Sequence, residues 1–291
     1  MRLTLIGGLL VLSALCARGG EQEGRGFWAP ERDASEENLS LTGRIWFAEG
    51  RTLSDSPGGS FKFDNEATRM AVLDARFYVP RAPFVGGQVR FGTTLSDDDG
   101  ELNGDMDCEA ELGLMEFNAV FVLAGRSSPA APSHDMASSY LEAFAGLRSW
   151  KEEFDCDTPL GDFEYEVDWL AVQVGLRGLW CLGDTYGESA EARHWFLTGE
   201  AALIPWATLD ADGKLEGAWD FDQESNQGYG IGGSVGVFRR VGRHLTVGLG
   251  YEWQLLRADS GDHDQDGVSS DDLALLKSSR QGLFLEVGLR F

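Results

Sequence analysis

From Leu39 onward the chain repeats one pattern: about ten or more residues in which apolar and polar side chains alternate, then a turn or a polar stretch. Successive side chains of a strand point to opposite faces, so each repeat reads as a strand with one apolar and one polar face. Ten strands are expected, near 39–49, 68–80, 84–95, 111–124, 140–150, 164–180, 194–207, 227–240, 244–257 and 281–291. A miscount at the connections 125–139 or 181–193 would leave eight or twelve. In the last repeat, Leu283, Leu285, Val287, Leu289 and Phe291 share one face, while Phe284, Glu286, Gly288 and Arg290 share the other. Such a face pair suits a wall with lipid on one side and a polar interior on the other. It also suits any half-buried antiparallel strand, so the rest of the chain has to decide.

The chain opens with Arg2, an apolar run over 3–15, and small residues that offer cleavage within 14–16 or 17–19. This is the layout of a secretory signal peptide, and residues 1–19 are assigned to it. Leu15 directly before Cys16 does not fit a lipidation motif. No later segment holds the ~18–20 consecutive apolar residues of a membrane-spanning helix, so any span must be made of strands. Residues 20–38 are polar, rich in Glu and Gly, and read as a flexible tail ahead of the strand repeats of 39–291. Thirty-eight glycines and nine tryptophans fit an all-β chain. The 24 basic residues against 48 acidic ones argue against nucleic acid as a partner, because phosphate contacts need clustered Lys and Arg.

Aromatic residues gather toward both ends of the outward faces: Trp180, Trp195 and Phe291 at the tail end, Tyr229, Tyr251 and Trp253 at the other. Amphipathic rings favour the two membrane interfaces, whereas a soluble sandwich needs no banding by depth. With its terminal Phe291 the closing strand resembles the C-terminal signature of bacterial outer-membrane β-barrels. The resemblance implies an all-β fold, an antiparallel up-and-down transmembrane barrel over 39–291 in the outer membrane and in contact with its lipid, with 20–38 as a periplasmic tail, short turns on the tail side and long loops opposite.

The inward faces carry Arg44, Asp74, Arg76, Arg90, Glu116, Glu142, Arg148, Arg177, Glu200, Glu252, Glu286 and Arg290, six arginines and six acids. Buried charges must be paired, and a barrel of roughly eight to ten strands is narrow enough for side chains to fill. A filled lumen is therefore expected, with a small transport pore as the alternative.

Negative charge concentrates in the stretches read as long loops. Residues 96–111 hold Asp97, Asp98, Asp99, Glu101, Asp105, Asp107, Glu109 and Glu111 without a basic residue. The 150–166 stretch holds Glu152, Glu153, Asp155, Asp157, Asp162, Glu164 and Glu166 with Lys151 alone. Solvated surface is one reading, and divalent-cation binding another. The segment Asp262-His263-Asp264-Gln265-Asp266-Gly267 resembles the calcium loops of EF-hand and dockerin-type modules, with Asp272 as the terminal acid. The resemblance implies a Ca2+ site at Asp262, Asp264, Asp266 and Asp272, although no bidentate Glu is present. Cys108 and Cys156 sit in matching acidic contexts at the loop ends of neighbouring strands, and a disulfide between them is expected, leaving Cys181 as a lone thiol.

Omptins are ten-stranded outer-membrane proteases that use an aspartate pair and an Asp-x-His pair. Here Asp97 and Asp99 could supply the first, but Asp262 and His263 are adjacent and sit on the fifth loop. No histidine is followed two residues on by serine, as barrel lipases and deacylases require. The sequence thus reads as a non-enzymatic barrel of structural or adhesive role with long acidic surface loops, modulated by calcium. A small pore is the alternative, and a surface hydrolase ranks third.

Overall fold

The computed structural model describes residues 39–290, apart from 57–58, 80–81, 96–97, 105, 127–138, 182–194, 217–218, 242–244, 266–267 and 271–274. The expected signal peptide and tail lie outside the described residues. Ten long strands form a closed ring: β1 (Leu39–Ser56), β2 (Gly59–Val79), β3 (Ala82–Thr94), β5 (Met106–Arg126), β6 (Ser139–Thr158), β7 (Gly161–Cys181), β8 (Trp195–Leu215), β9 (Trp219–Val241), β10 (Leu245–Ala258) and β13 (Leu275–Arg290). Each is antiparallel to its neighbours, and β1 closes on β13 from Ser40 opposite Arg290 to Asp55 opposite Leu275. Three short strands complete the sheet: β4 (Asp98–Leu102), β11 (Asp262–Gln265) and β12 (Val268–Ser270). β4 fills the space beyond the end of β3 by pairing with β2 and β5, and β11 pairs with β9.

Along the half of the barrel where β1 begins and β13 ends, the outward face is apolar. Leu283, Leu285 and Val287 are 61, 54 and 49% exposed, whereas Phe284 between them is buried. The apolar band ends toward the far half at Met115, Leu147, Leu170, Trp206, Tyr229 and Trp253, all exposed. Beyond that line the outward residues are mostly polar, and the inward ones are mostly apolar and aromatic with a buried polar set that includes Thr52, Glu152, Gln223, Ser278 and Arg280. The far half therefore has a packed interior like that of a soluble protein. Phe63 stacks on Phe154 and Tyr165 at 4.3 and 5.2 Å between ring centres, and Phe61 stacks on Phe163 and Phe221 at 5.4 and 5.7 Å.

The strand count agrees with the expectation, but the strand lengths do not. The acidic stretch 150–166 is no loop: β6 and β7 run through it and meet at the turn of Pro159 and Leu160, with Gly161 at φ +130°. Most of 96–111 is likewise strand, in β4 and the start of β5. The physical reason is visible in the alternation itself. Phe154 and Cys156 point inward while Glu153, Asp155 and Asp157 point outward, so acids sit where a soluble strand puts its solvated side chains.

Candidate functional site

Two regions of the barrel carry chemistry. The first is the lumen. All eleven described members of the expected charged set face inward, and the side chain of Arg290 lies outside the described residues. Arg44 pairs with Glu252, and with Glu286 at 2.6 Å. Arg76 holds Asp74 at 3.0 Å, and Arg177 holds Glu142 and Glu200 at 2.9 and 2.6 Å. Arg148 reaches Glu116 at 3.1 Å. Amides extend this bracing: Gln173 donates to Asn118 at 2.9 Å, Asn118 to Gln88 at 3.1 Å, and Gln88 to Asp74 at 2.6 Å. Buried ion pairs are costly unless further hydrogen bonds brace them, and Gln88 supplies such bonds by donating to Asp74 and accepting from Arg177.

Sequence reasoning missed a further pair. Glu152 belongs to the acidic stretch that reads as a loop, yet it and Arg280 are fully buried in the far half and 3.2 Å apart. Glu152 also accepts from Trp150 Nε1 at 2.7 Å and from the hydroxyls of Thr52 and Ser278. The signal was its parity: Trp150, Glu152, Phe154 and Cys156 share one face of β6.

The second region is the outer wall of the far half. Across six adjacent strands, Glu111, Glu153, Glu166, Asp212, Asp222 and Asp264 stand directly opposite one another in a single register row. The next row reads Lys151, Asp168, Asp210, Glu224 and Asp262, and the row on the other side reads Glu109, Asp155, Glu164, Lys214 and Asp220. Like charges directly opposite are destabilising, so something must offset them. Hydrogen bonds to Glu153 and Glu166 hold Lys151 above its ordinary pKa. A disulfide joins Cys108 and Cys156, directly opposite on β5 and β6 with Cα atoms 4.1 Å apart, as expected. The side chain of Cys181 lies outside the described residues.

A third offset is a proton. A hydrogen bond shared with Asp222, partial burial, and the charges of Asp222, Asp210 and Glu166 push Asp212 up to about 6. A carboxyl whose folded pKa exceeds its unfolded value stabilises the fold at low pH, and that contribution is lost as pH rises through the folded value. Amide protection of the paired segments 209–215 and 219–225 is therefore expected to be higher at pH 5 than at pH 7.5 once intrinsic exchange rates are corrected. Asp212→Asn should flatten this dependence; an unchanged profile in the variant would assign it to other groups.

The expected calcium residues are only partly in view. Asp262 and Asp264 lie on β11, facing outward beside Glu224 and Asp222 of β9, while Asp266 and Asp272 are outside the described residues. Among the described residues no three acid, His or Cys side chains group to hold an ion. Of the omptin-like candidates, the side chains of Asp97 and Asp99 are outside the described residues. His263 points inward, 5% exposed, with its ring 5.7 Å from Phe221 and its Nδ1 3.5 Å from Gln223 Nε2.

No family model matches the sequence, and no curated protein matches it significantly. Among solved structures the chain is similar to the outer membrane protease OmpT from Escherichia coli, with a TM-score of 0.68, 11% identity, and coverage of 92% of this chain and 99% of that one. It also aligns with the translocator domain of the autotransporter NalP from Neisseria meningitidis at a TM-score of 0.36 and 10% identity, over 100% of this chain and 96% of that one. The chain has the fold of an outer-membrane β-barrel. This corrects one expectation: the same fold carries a protease, so the barrel architecture cannot support reading the chain as a non-enzyme.

Proposed function

We propose that this barrel stands in the outer membrane as a closed pillar that holds an acidic β-wall outside the cell, in a structural or adhesive role. One observation carries the reading: arginine–carboxylate pairs fill the lumen of the apolar-banded half, and stacked aromatic rings fill the half beyond it. Narrow barrels closed by paired charges do not offer an ion a continuous hydrated path. The far half is then extracellular, and the strand ends at Leu39 and Arg290 face the periplasm. The purified barrel in planar bilayers is expected to show no stable single-channel openings. Openings of porin size would replace this reading with a small pore.

A second reading, a surface hydrolase, is favoured by the likeness to a protease fold. Cleavage of peptide substrates by the detergent-solubilised barrel would establish it.

Calcium belongs to the first reading. Asp262 and Asp264 share a face with Glu224 and Asp222, which concentrates hard oxygen donors beside the segment that resembles a calcium loop. Titration calorimetry is expected to show heat at millimolar calcium that the double variant Asp262→Asn, Asp264→Asn loses. No heat in the wild type would remove calcium from the proposal.

A further inference from the structure

Three hydrogen-bond donors deep in the lumen are without an acceptor among the described residues. Arg90, Arg148 and Gln254 are 3, 5 and 3% exposed. Among the described residues, Arg90 Nε, Arg148 Nε and Gln254 Nε2 find no hydrogen-bond partner. The three belong to one connected cluster. Arg148 donates through Nη2 to Gln254 Oε1 and through Nη1 reaches Glu116 at 3.1 Å, and Glu116 in turn lies 3.4 Å from Arg90.

The chemistry of the shortfall is one-sided. Arginine has no acceptor atom, and the Gln254 carbonyl is already used by Arg148, which fixes its amide nitrogen as the free end. What the cluster lacks is an acceptor. The carboxylates around it are under-used in the opposite sense. Arg90 sits among Asp74, Glu116, Glu200 and Glu252 at 3.5, 3.4, 3.8 and 3.7 Å, all longer than the ~2.7–2.9 Å of a strong charge-assisted hydrogen bond. Asp74 is saturated by Arg76, Gln88 and Arg90, but Glu116, Glu200 and Glu252 have lone pairs to spare.

A small anion would satisfy the N–H groups, but it would lie among four carboxylates. A neutral molecule that both accepts and donates meets both needs. We infer that the lumen contains a built water site, in which ordered water accepts from Arg90 Nε, Arg148 Nε and Gln254 Nε2 and donates to the Glu116, Glu200 and Glu252 carboxylates. Buried waters usually make about three such bonds to otherwise unsatisfied polar groups. Trp46 and Trp150, both buried with ring centres 6.2 Å apart, border the cluster toward the far half, and Arg148 lies 5.7 Å over the Trp150 ring. The inference concerns the interior alone and does not depend on the adhesive role.

The test is a crystal structure of the wild-type barrel at a resolution that orders internal solvent, from crystals soaked in bromide. Water oxygens within hydrogen-bond distance of at least two of the three donors are expected. Anomalous bromide density at the donors would overturn the inference in favour of an anion site. Direct pairing of the three N–H groups with carboxylates, with no solvent between, would overturn it as well. In solution, water cross-relaxation to the arginine Nε–H protons of the folded, micelle-bound barrel gives a second readout. Arg90 and Arg148 should show contact with long-lived water, and absence of that contact at both would count against the site.

Discussion

Replacing Glu152 with alanine is expected to cost the barrel about 3–5 kcal/mol, the loss seen when one partner of a buried ion pair is removed. The carboxylate takes four donors, from Thr52, Trp150, Ser278 and Arg280. Without it, Arg280 is a fully buried cation whose Nε already lacks a partner among the described residues. The measurement is the urea midpoint of the barrel in detergent micelles, with the slope checked to be unchanged. The informative control is Glu152→Leu combined with Arg280→Met. Removing both charges should cost less than the single change, because the desolvation cost of Arg280 disappears with the pair while the donors of Trp150, Thr52 and Ser278 still lose their acceptor. A single variant as stable as the wild type would mean that water reaches Arg280.

Phe63→Ala should cost a similar ~3–5 kcal/mol, the usual range for deleting a buried phenyl ring. Phe63 is 1% exposed and stacks on Phe154, Tyr165 and Phe163, so its removal leaves a void that three rings on two strands cannot easily close. Because the void lies beyond the apolar band, the lipid-facing half should keep its heat-modifiable migration while near-ultraviolet circular dichroism reports loosened aromatic packing. Phe63→Leu should lose less. Equal stability of wild type and Phe63→Ala would show that the far half is not packed as described.

Much of this architecture is written in parity, and parity is legible. The ten long strands and their inward charges follow from which residues share a face, and the Cys108–Cys156 bridge from matching acidic contexts at the ends of neighbouring strands. What misled was charge density. Glu152 and Glu153 are neighbours in one acidic run, yet one is fully buried on Arg280 and the other faces solvent beside Lys151. Only the register separates them, and a run read as a loop has no register. The short strands β4 and β11 were invisible for a related reason: Asp and Gly are poor strand formers, and both segments form by pairing with long strands already in place. The Gln88–Asn118–Gln173 chain was missed because neutral amides on an inward face look the same whether they line water or brace a lumen.

The uninterrupted run of β7 sets a length scale. Its 21 residues span roughly 70 Å along the strand, or about 50 Å along the axis at a ~40° tilt, against an apolar band of ~25 Å. In the proposed membrane placement about half of the barrel stands clear of the hydrocarbon, ending at the turn where Leu160 is 77% exposed. Whatever meets that wall meets a stiff, hydrogen-bonded plane whose spacing is set in advance. Docking on it orders little backbone, so its selectivity should follow the spacing of a partner's groups more than the partner's ability to mould a loop.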